Sequence, residues 1–129
     1  METILQGQIN NLVASCNADI DESGKLVLRK GGKITLTVDT GFSGSFSLPS
    51  ALLKKLKLKF LDQDTFRLAN GEEIELPIFW GEVVLGDHKL PAWFIPGEPL
   101  VGMELLSSAG EILLLNFRKK ELELKGRKN

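Results

Sequence analysis

Three consecutive residues, Asp39-Thr40-Gly41, hold most of the chemical interest, and they directly follow Ile34-Thr35-Leu36-Thr37-Val38. The triplet has two readings. In one it is a turn, where Asp accepts local backbone N–H groups and Gly supplies an unusual φ. In the other it presents a carboxylate for acid–base chemistry. The three residues alone leave that choice open. His88, the only histidine, lies in the turn-like run Gly86-Asp87-His88-Lys89. A Ser-His or Cys-His nucleophile would need it beside Ser43 or Cys16, so it is expected to be an exposed turn residue.

The surroundings of the triplet narrow the choice. Phe42-Ser43-Gly44 follows it, and then Leu48-Pro49 opens a helix. Much further along stands Leu100-Val101-Gly102-Met103-Glu104-Leu105-Leu106, two apolar residues and a glycine leading into a short helix. In this order and spacing these parts resemble the retropepsin-like aspartic proteases. The likeness is closest to a prokaryotic branch with Asp-Thr-Gly-Phe-Ser-Gly followed by Leu-Pro. It covers residues 34–124 of one expected domain, 1–129, while 1–33 match only loosely.

The resemblance implies a small closed β-barrel with one or two short helices, acting as an aspartic endopeptidase on peptide or protein substrates. Asp39 would be the catalytic residue. Thr40 would send its hydroxyl across a two-fold axis to the partner's loop, and Gly41 would let the chain turn tightly enough for its N–H to bond the carboxylate. Leu100, Val101 and Gly102 would pack behind that loop, the glycine permitting close approach. Ala69, Asn70 and Gly71 would form the tip of a flap over the substrate. Phe42 departs from the Ala or Ser that many family members carry, and its ring would either narrow the cleft or pack into the core.

The chemistry implied also requires a homodimer. Peptide hydrolysis of this kind uses one carboxylate as base toward water and one carboxylic acid toward the carbonyl oxygen. Two carboxyls ~3 Å apart cannot both ionise, so they share a proton and hold both roles at once. The sequence has one such aspartate, because Asp64-Thr65 is followed by Phe66 and Asp87 by His88. The second must then come from another copy. The alternative is a non-catalytic dimeric or peptide-binding module on the same barrel, since a fold does not dictate chemistry. A third reading is a monomeric barrel with an accidental Asp-Thr-Gly turn.

Other chemistries find little support. No clustered His, Cys or carboxylates have ligand spacing, so no metal and no cofactor are expected. Gly24-Lys25 and Gly31-Gly32-Lys33 lack the earlier glycine of a phosphate loop. Trp80 and Trp93, with Phe79 and Phe94, are expected in the barrel core or as a subsite wall rather than as a base-stacking platform.

The elements that must position these residues are mostly strands. Thr3–Ala18 reads as one extended stretch with Ile9, Leu12, Val13 and Ala14 inward, and residues 19–24 as a turn. Lys25–Leu28 and Lys33–Val38 read as strands separated by Gly31-Gly32. Pro49 opens a helix whose Leu52, Leu53 and Leu56 share a face. Thr65–Leu68 and Glu73–Leu76 pair through Asn70-Gly71, where a two-residue turn needs positive φ at both positions. Ile78–Leu85 and Leu90–Ile95 pair through Gly86-Asp87, and Pro96-Gly97-Glu98-Pro99 is a loop. Met103–Ala109 is helical up to Gly110, and Ile112–Phe117 pairs with Glu121–Leu124. Eight or so strands and two helices suggest a barrel.

Composition sets the remaining bounds. Of 129 residues 43% are apolar and 26% charged, a globular balance. Sixteen basic and seventeen acidic side chains leave a net charge of −1, which offers nucleic acid or anionic lipid no attracting field. The lysines at 54, 55, 57 and 59, and the tail Lys125-Gly126-Arg127-Lys128, are expected to be solvated faces or frayed ends. The single cysteine, Cys16, excludes an internal disulfide and a thiolate zinc cage, and reads as a small strand residue. Leu12-Val13-Ala14-Ser15-Cys16 resembles a lipoprotein cleavage box, but Glu2 stands where a leader is basic, and Gln6, Gln8, Asn10 and Asn11 interrupt any apolar core. With no run long enough to span a membrane, a cytoplasmic protein is expected.

Overall fold

The computed structural model describes residues 1–127. Among them the strands are β1 Glu2–Asn10, β2 Val13–Ile20, β3 Leu26–Leu28, β4 Ile34–Val38, β5 Phe46–Leu48, β6 Lys59–Arg67, β7 Glu73–Leu85, β8 His88–Pro96, β9 Leu100–Val101, β10 Ile112–Asn116 and β11 Glu121–Gly126. Helix α1 spans Ser50–Leu53 and α2 Met103–Ala109.

Seven strands close into a ring in the order β2-β3-β7-β8-β5-β9-β4, and β4 returns to β2 through pairs from Ser15↔Thr37 to Ala18↔Ile34. The expected closed barrel with two short helices is therefore observed. Alternate residues of each strand point inward. Cys16 and Ala18 of β2, Leu26 and Leu28 of β3, Leu36 of β4 and Val83 and Leu85 of β7 fill the interior. Phe46 of β5 stacks on Phe94 of β8, with ring centres 5.2 Å apart and planes 14° from parallel. Each large apolar side chain of this kind contributes about 1.5–3 kcal/mol by leaving water. Leu53 and Leu56 around α1, and Leu105 and Leu106 of α2, join the same core.

Three strands beyond β2, and one beside β7, lie outside the ring. From β2 the sheet continues through β1 and β11 to β10, all antiparallel. Strand β6 pairs only with β7, so β6 and the first half of β7 form a two-stranded ribbon.

Several expectations need correction. The first is that Thr3–Ala18 is a hairpin, not one stretch. Asn10 pairs with Val13 around Asn11 and Leu12, whose φ values are 51° and 65°. A bulky Leu at positive φ is uncommon, and with no Gly to announce the turn the sequence hides it. Leu12 is consequently 89% exposed and Val13 also faces solvent, while Ile9 is buried as expected. Strand β7 runs unbroken through Pro77, because β8 pairs with it only from Phe79 onward, and proline is tolerated where one side of a strand is open. Strands β5 and β9 are too short to show a period, so eleven strands replace the expected eight or so.

The aromatic quartet divides. Phe94 is fully buried and Phe79 packs against the core, but the strand period turns Trp80 and Trp93 to the outer face. There they meet edge to face at 4.8 Å, with Trp93 37% exposed. The basic tail is also not frayed through its first half: Lys125 and Gly126 belong to β11, while Lys128 lies outside the described residues. No helix among the described residues is long and apolar enough to cross a membrane.

Candidate active site

Strand β4 delivers Asp39. Its last residues run parallel to β9, with Thr37 opposite Leu100 and Val38 opposite Val101, and the Asp39 N–H donates to the Val101 carbonyl at 3.0 Å. On its other side β9 pairs antiparallel with β5, Phe46 opposite Val101. One two-residue strand thus ties both ends of the loop 39–45, which fixes the loop far more tightly than its own residues could.

Within the loop, Gly41 N–H donates to Asp39 Oδ1 at 2.9 Å, and Phe42 N–H to the Asp39 carbonyl at 3.1 Å. The expected bond to the carboxylate is present. Gly41, however, is not at positive φ. What suits glycine here is space: a Cβ would stand 3.3 Å from Asp39 Oδ1. Among the described residues Asp39 Oδ2 and the Thr40 hydroxyl take no hydrogen bond. Asp39 is half-buried, whereas Thr40 and Gly41 are exposed.

Gly102 braces the loop from behind. Its N–H donates to the Ser45 carbonyl at 2.9 Å, Met103 N–H to the Phe42 carbonyl at 2.8 Å and Glu104 N–H to the Gly44 carbonyl at 3.2 Å. The first turn of α2, whose N–H groups have no partners within the helix, is satisfied by loop carbonyls. A Cβ on Gly102 would collide with the carbonyl oxygens of Gly44 and Phe42. Leu100 and Val101 lie beside this contact on β9, Val101 fully buried. Leu100, Val101 and Gly102 therefore pack behind the Asp39 loop. The Phe42 ring lies against Gly44 and Gly102: a Cβ on Gly44 would come within 2.7 Å of its Cζ.

Ala69, Asn70 and Gly71 form the exposed tip of the β6–β7 ribbon. The turn differs from the expected type. Only Gly71 has positive φ, at +87°. Gly71 N–H donates to the Leu68 carbonyl at 3.0 Å, Leu68 N–H to the Glu72 carbonyl at 2.8 Å, and Glu72 N–H to Asn70 Oδ1 at 2.9 Å. This is a three-residue loop in which a turn is followed by a left-handed glycine. Asn70 serves through its side chain rather than its backbone angles.

Between loop and ribbon lies a cleft of ≈ 280 Å³, formed by Phe42, Ser43, Gly44, Ser45, Phe46, Asp64, Phe66, Ile78, Trp93, Ile95 and Glu104. It begins three residues past Asp39, which does not itself line it. Of this set the sequence motifs contain Phe42, Ser43, Gly44 and Glu104, with Trp93 expected as core or subsite wall. Asp64, Phe66, Ile78 and Ile95 converge on them only because β6, β7 and β8 are neighbours, which no local signal in the sequence announces. A second hollow, ≈ 290 Å³, lies against α1 between Leu53, Leu58, Pro77 and Phe79 and contains none of the expected site residues.

Of the two rival nucleophiles, Cys16 is ruled out on burial. Cys16 is sealed in the barrel, and burial pushes its thiol up to about 12, so the reactive thiolate is suppressed. His88 opens β8 at an exposed turn, as expected. Among the described residues no three His, Cys, Asp or Glu side chains are grouped to hold a metal. Compared with known proteins, the chain matches no protein-family model and no curated protein.

Proposed function

We propose that the chain is an aspartic endopeptidase that works as a homodimer, with Asp39 of each subunit forming one catalytic pair. The observation that carries this reading is the Asp39 loop. Its carboxylate is held by one short bond to Gly41 N–H, its other oxygen is unpartnered among the described residues, and its backbone is clamped by β9 and Gly102. A simple turn needs no such bracing from a strand and a helix distant in sequence. The exposed ribbon carrying Ala69, Asn70 and Gly71, with the cleft beneath it, suits an extended peptide bound by strand-like hydrogen bonds.

In this reading the ionised Asp39 takes a proton from water as the water oxygen attacks the peptide carbonyl carbon. The protonated Asp39 of the partner subunit gives its proton to the carbonyl oxygen. The tetrahedral adduct then collapses: one of its hydroxyls returns a proton to the partner's carboxylate as the C=O re-forms, the C–N bond breaks, and the amine leaves with the proton held by the first carboxyl, which restores the singly protonated pair. Neither cofactor nor metal enters these steps.

A second copy also has a surface to meet. β10 ends the sheet with one edge unpaired among the described residues, and it bears no charge. Ile112, Leu114 and Leu115 are 43%, 43% and 42% exposed, and Phe117 just beyond is 63% exposed. Open edges are ordinarily guarded by charge, proline or a bulge. Antiparallel pairing about Leu114 would set Leu113 against Leu115 of the partner subunit.

The test is digestion of a broad peptide library by wild type and by Asp39→Asn, with the dimer verified by sedimentation. Cleavage by wild type alone is expected. Equal cleavage by both would remove Asp39 from the mechanism, and binding without any cleavage would leave a non-catalytic peptide module.

A further inference from the structure

We infer that the cleft beside the Asp39 loop holds a lysine or arginine side chain of the bound polypeptide, with Asp64 and Glu104 selecting it. This rests on the peptide-cleaving reading and adds a substrate preference to it. Much of the lining is apolar, from Phe42, Phe66, Ile78, Trp93 and Ile95. Two acidic residues join it from different elements. Asp64 comes from the ribbon, two residues before Phe66 on β6 and so on the same face of that strand. Glu104 comes from the first turn of α2, where its N–H is bonded to the Gly44 carbonyl.

No lysine or arginine lines the cleft, and among the described residues neither carboxylate makes an ion pair. Asp64 Oδ1 accepts the Thr65 N–H at 2.8 Å, and the lining combines apolar side chains with two carboxylates that no cation balances. A long side chain with an aliphatic stem and a cationic head has the matching profile, its stem on the rings and its head at the carboxylates. Trp93 adds an aromatic face that attracts the same cation. A purely apolar side chain would contact the rings yet strip water from two carboxylates and return nothing for it. An acidic one would be repelled. At ≈ 280 Å³ the space suits one side chain rather than a whole small molecule. Because an extended chain turns every second side chain the same way, the preference belongs at one fixed position of the peptide.

The test uses a positional library of extended peptides in which each position in turn is Lys, Arg, norleucine or Glu. Binding is measured to full-length Asp39→Asn protein, and cleavage to wild type. The expected result is one position where Lys and Arg bind better than norleucine, with the advantage falling about fivefold for each of Asp64→Asn and Glu104→Gln. Both substitutions keep the shape of the side chain, and circular dichroism of the variants checks that the fold survives. Norleucine binding as well as Lys at every position, an advantage untouched by both substitutions, or no binding by a folded dimer would each overturn the assignment. Selective binding without cleavage would sink the protease reading and leave the cleft's preference standing. Cleavage without selectivity would do the reverse.

Discussion

Gly102→Ala adds one methyl group where the structure has no room for it. The Gly102 backbone, φ −110° and ψ 179°, is extended and open to alanine, so no conformational strain enters. The obstacle is steric. The new Cβ would strike the Gly44 and Phe42 carbonyl oxygens, which are backbone atoms and cannot swing aside. Forced overpacking of this kind costs about 1–3 kcal/mol. Pushing the loop away also weakens the bonds from Gly102, Met103 and Glu104, at about 1 kcal/mol for each one lost. Alanine recovers about 0.4–1 kcal/mol by stiffening the unfolded chain. The expected net loss is about 2–4 kcal/mol, read as a lower urea midpoint with unchanged slope at fixed protomer concentration. Gly44→Ala is the comparison, because the nearest atoms to its Cβ belong to the Phe42 ring, the far end of a side chain that can tilt aside about χ1, rather than to backbone. It should cost about 1 kcal/mol or less. A Gly102→Ala protein within about 0.5 kcal/mol of wild type, or one more stable than Gly44→Ala, would refute the bracing.

Two further predictions concern association and pH. Leu114→Lys places a charge in the middle of the open β10 edge and should convert the dimer to a folded monomer, seen by sedimentation with circular dichroism retained; an unchanged dimer would clear β10 of any part in association. The Cys16 thiol, raised from 9.0 to about 12 in the folded barrel, ionises first in the unfolded chain. Its contribution to stability is therefore whole below pH 9.0 and drains away as pH rises toward about 12, by up to about 1.4 kcal/mol per pH unit. Cys16→Ala should flatten the alkaline limb of the stability curve relative to wild type, and identical limbs would mean the thiol is not sealed.

The parts legible in the sequence were those where a local signal and the tertiary demand coincide. Ile34–Val38 alternates cleanly because one of its faces enters the barrel at Leu36. Met103–Ala109 is bounded by glycines that match its observed ends. What stayed hidden had no local signature. Leu12 sits at positive φ because the β1–β2 register demands a two-residue turn there, against its own preference. β5 and β9 owe their existence to neighbours on both sides rather than to any period of their own. At the site, Asp39, Thr40, Gly41 and Gly102 could be singled out from motifs. Asp64, Phe66, Trp93 and Glu104 meet only after ribbon, barrel and helix have come together, and nothing in their spacing along the chain encodes that.

The pairing of two Asp39 residues is tested most directly by subunit mixing. Wild type and Asp39→Asn are combined in equal amounts, exchanged to equilibrium, and assayed on a cleavable peptide at constant total protein. If both carboxylates serve one site, only dimers with two wild-type subunits act, and activity falls to about one quarter of the pure wild-type value. Activity at about one half, in proportion to the wild-type share, would mean that each subunit works alone and would contradict the shared site.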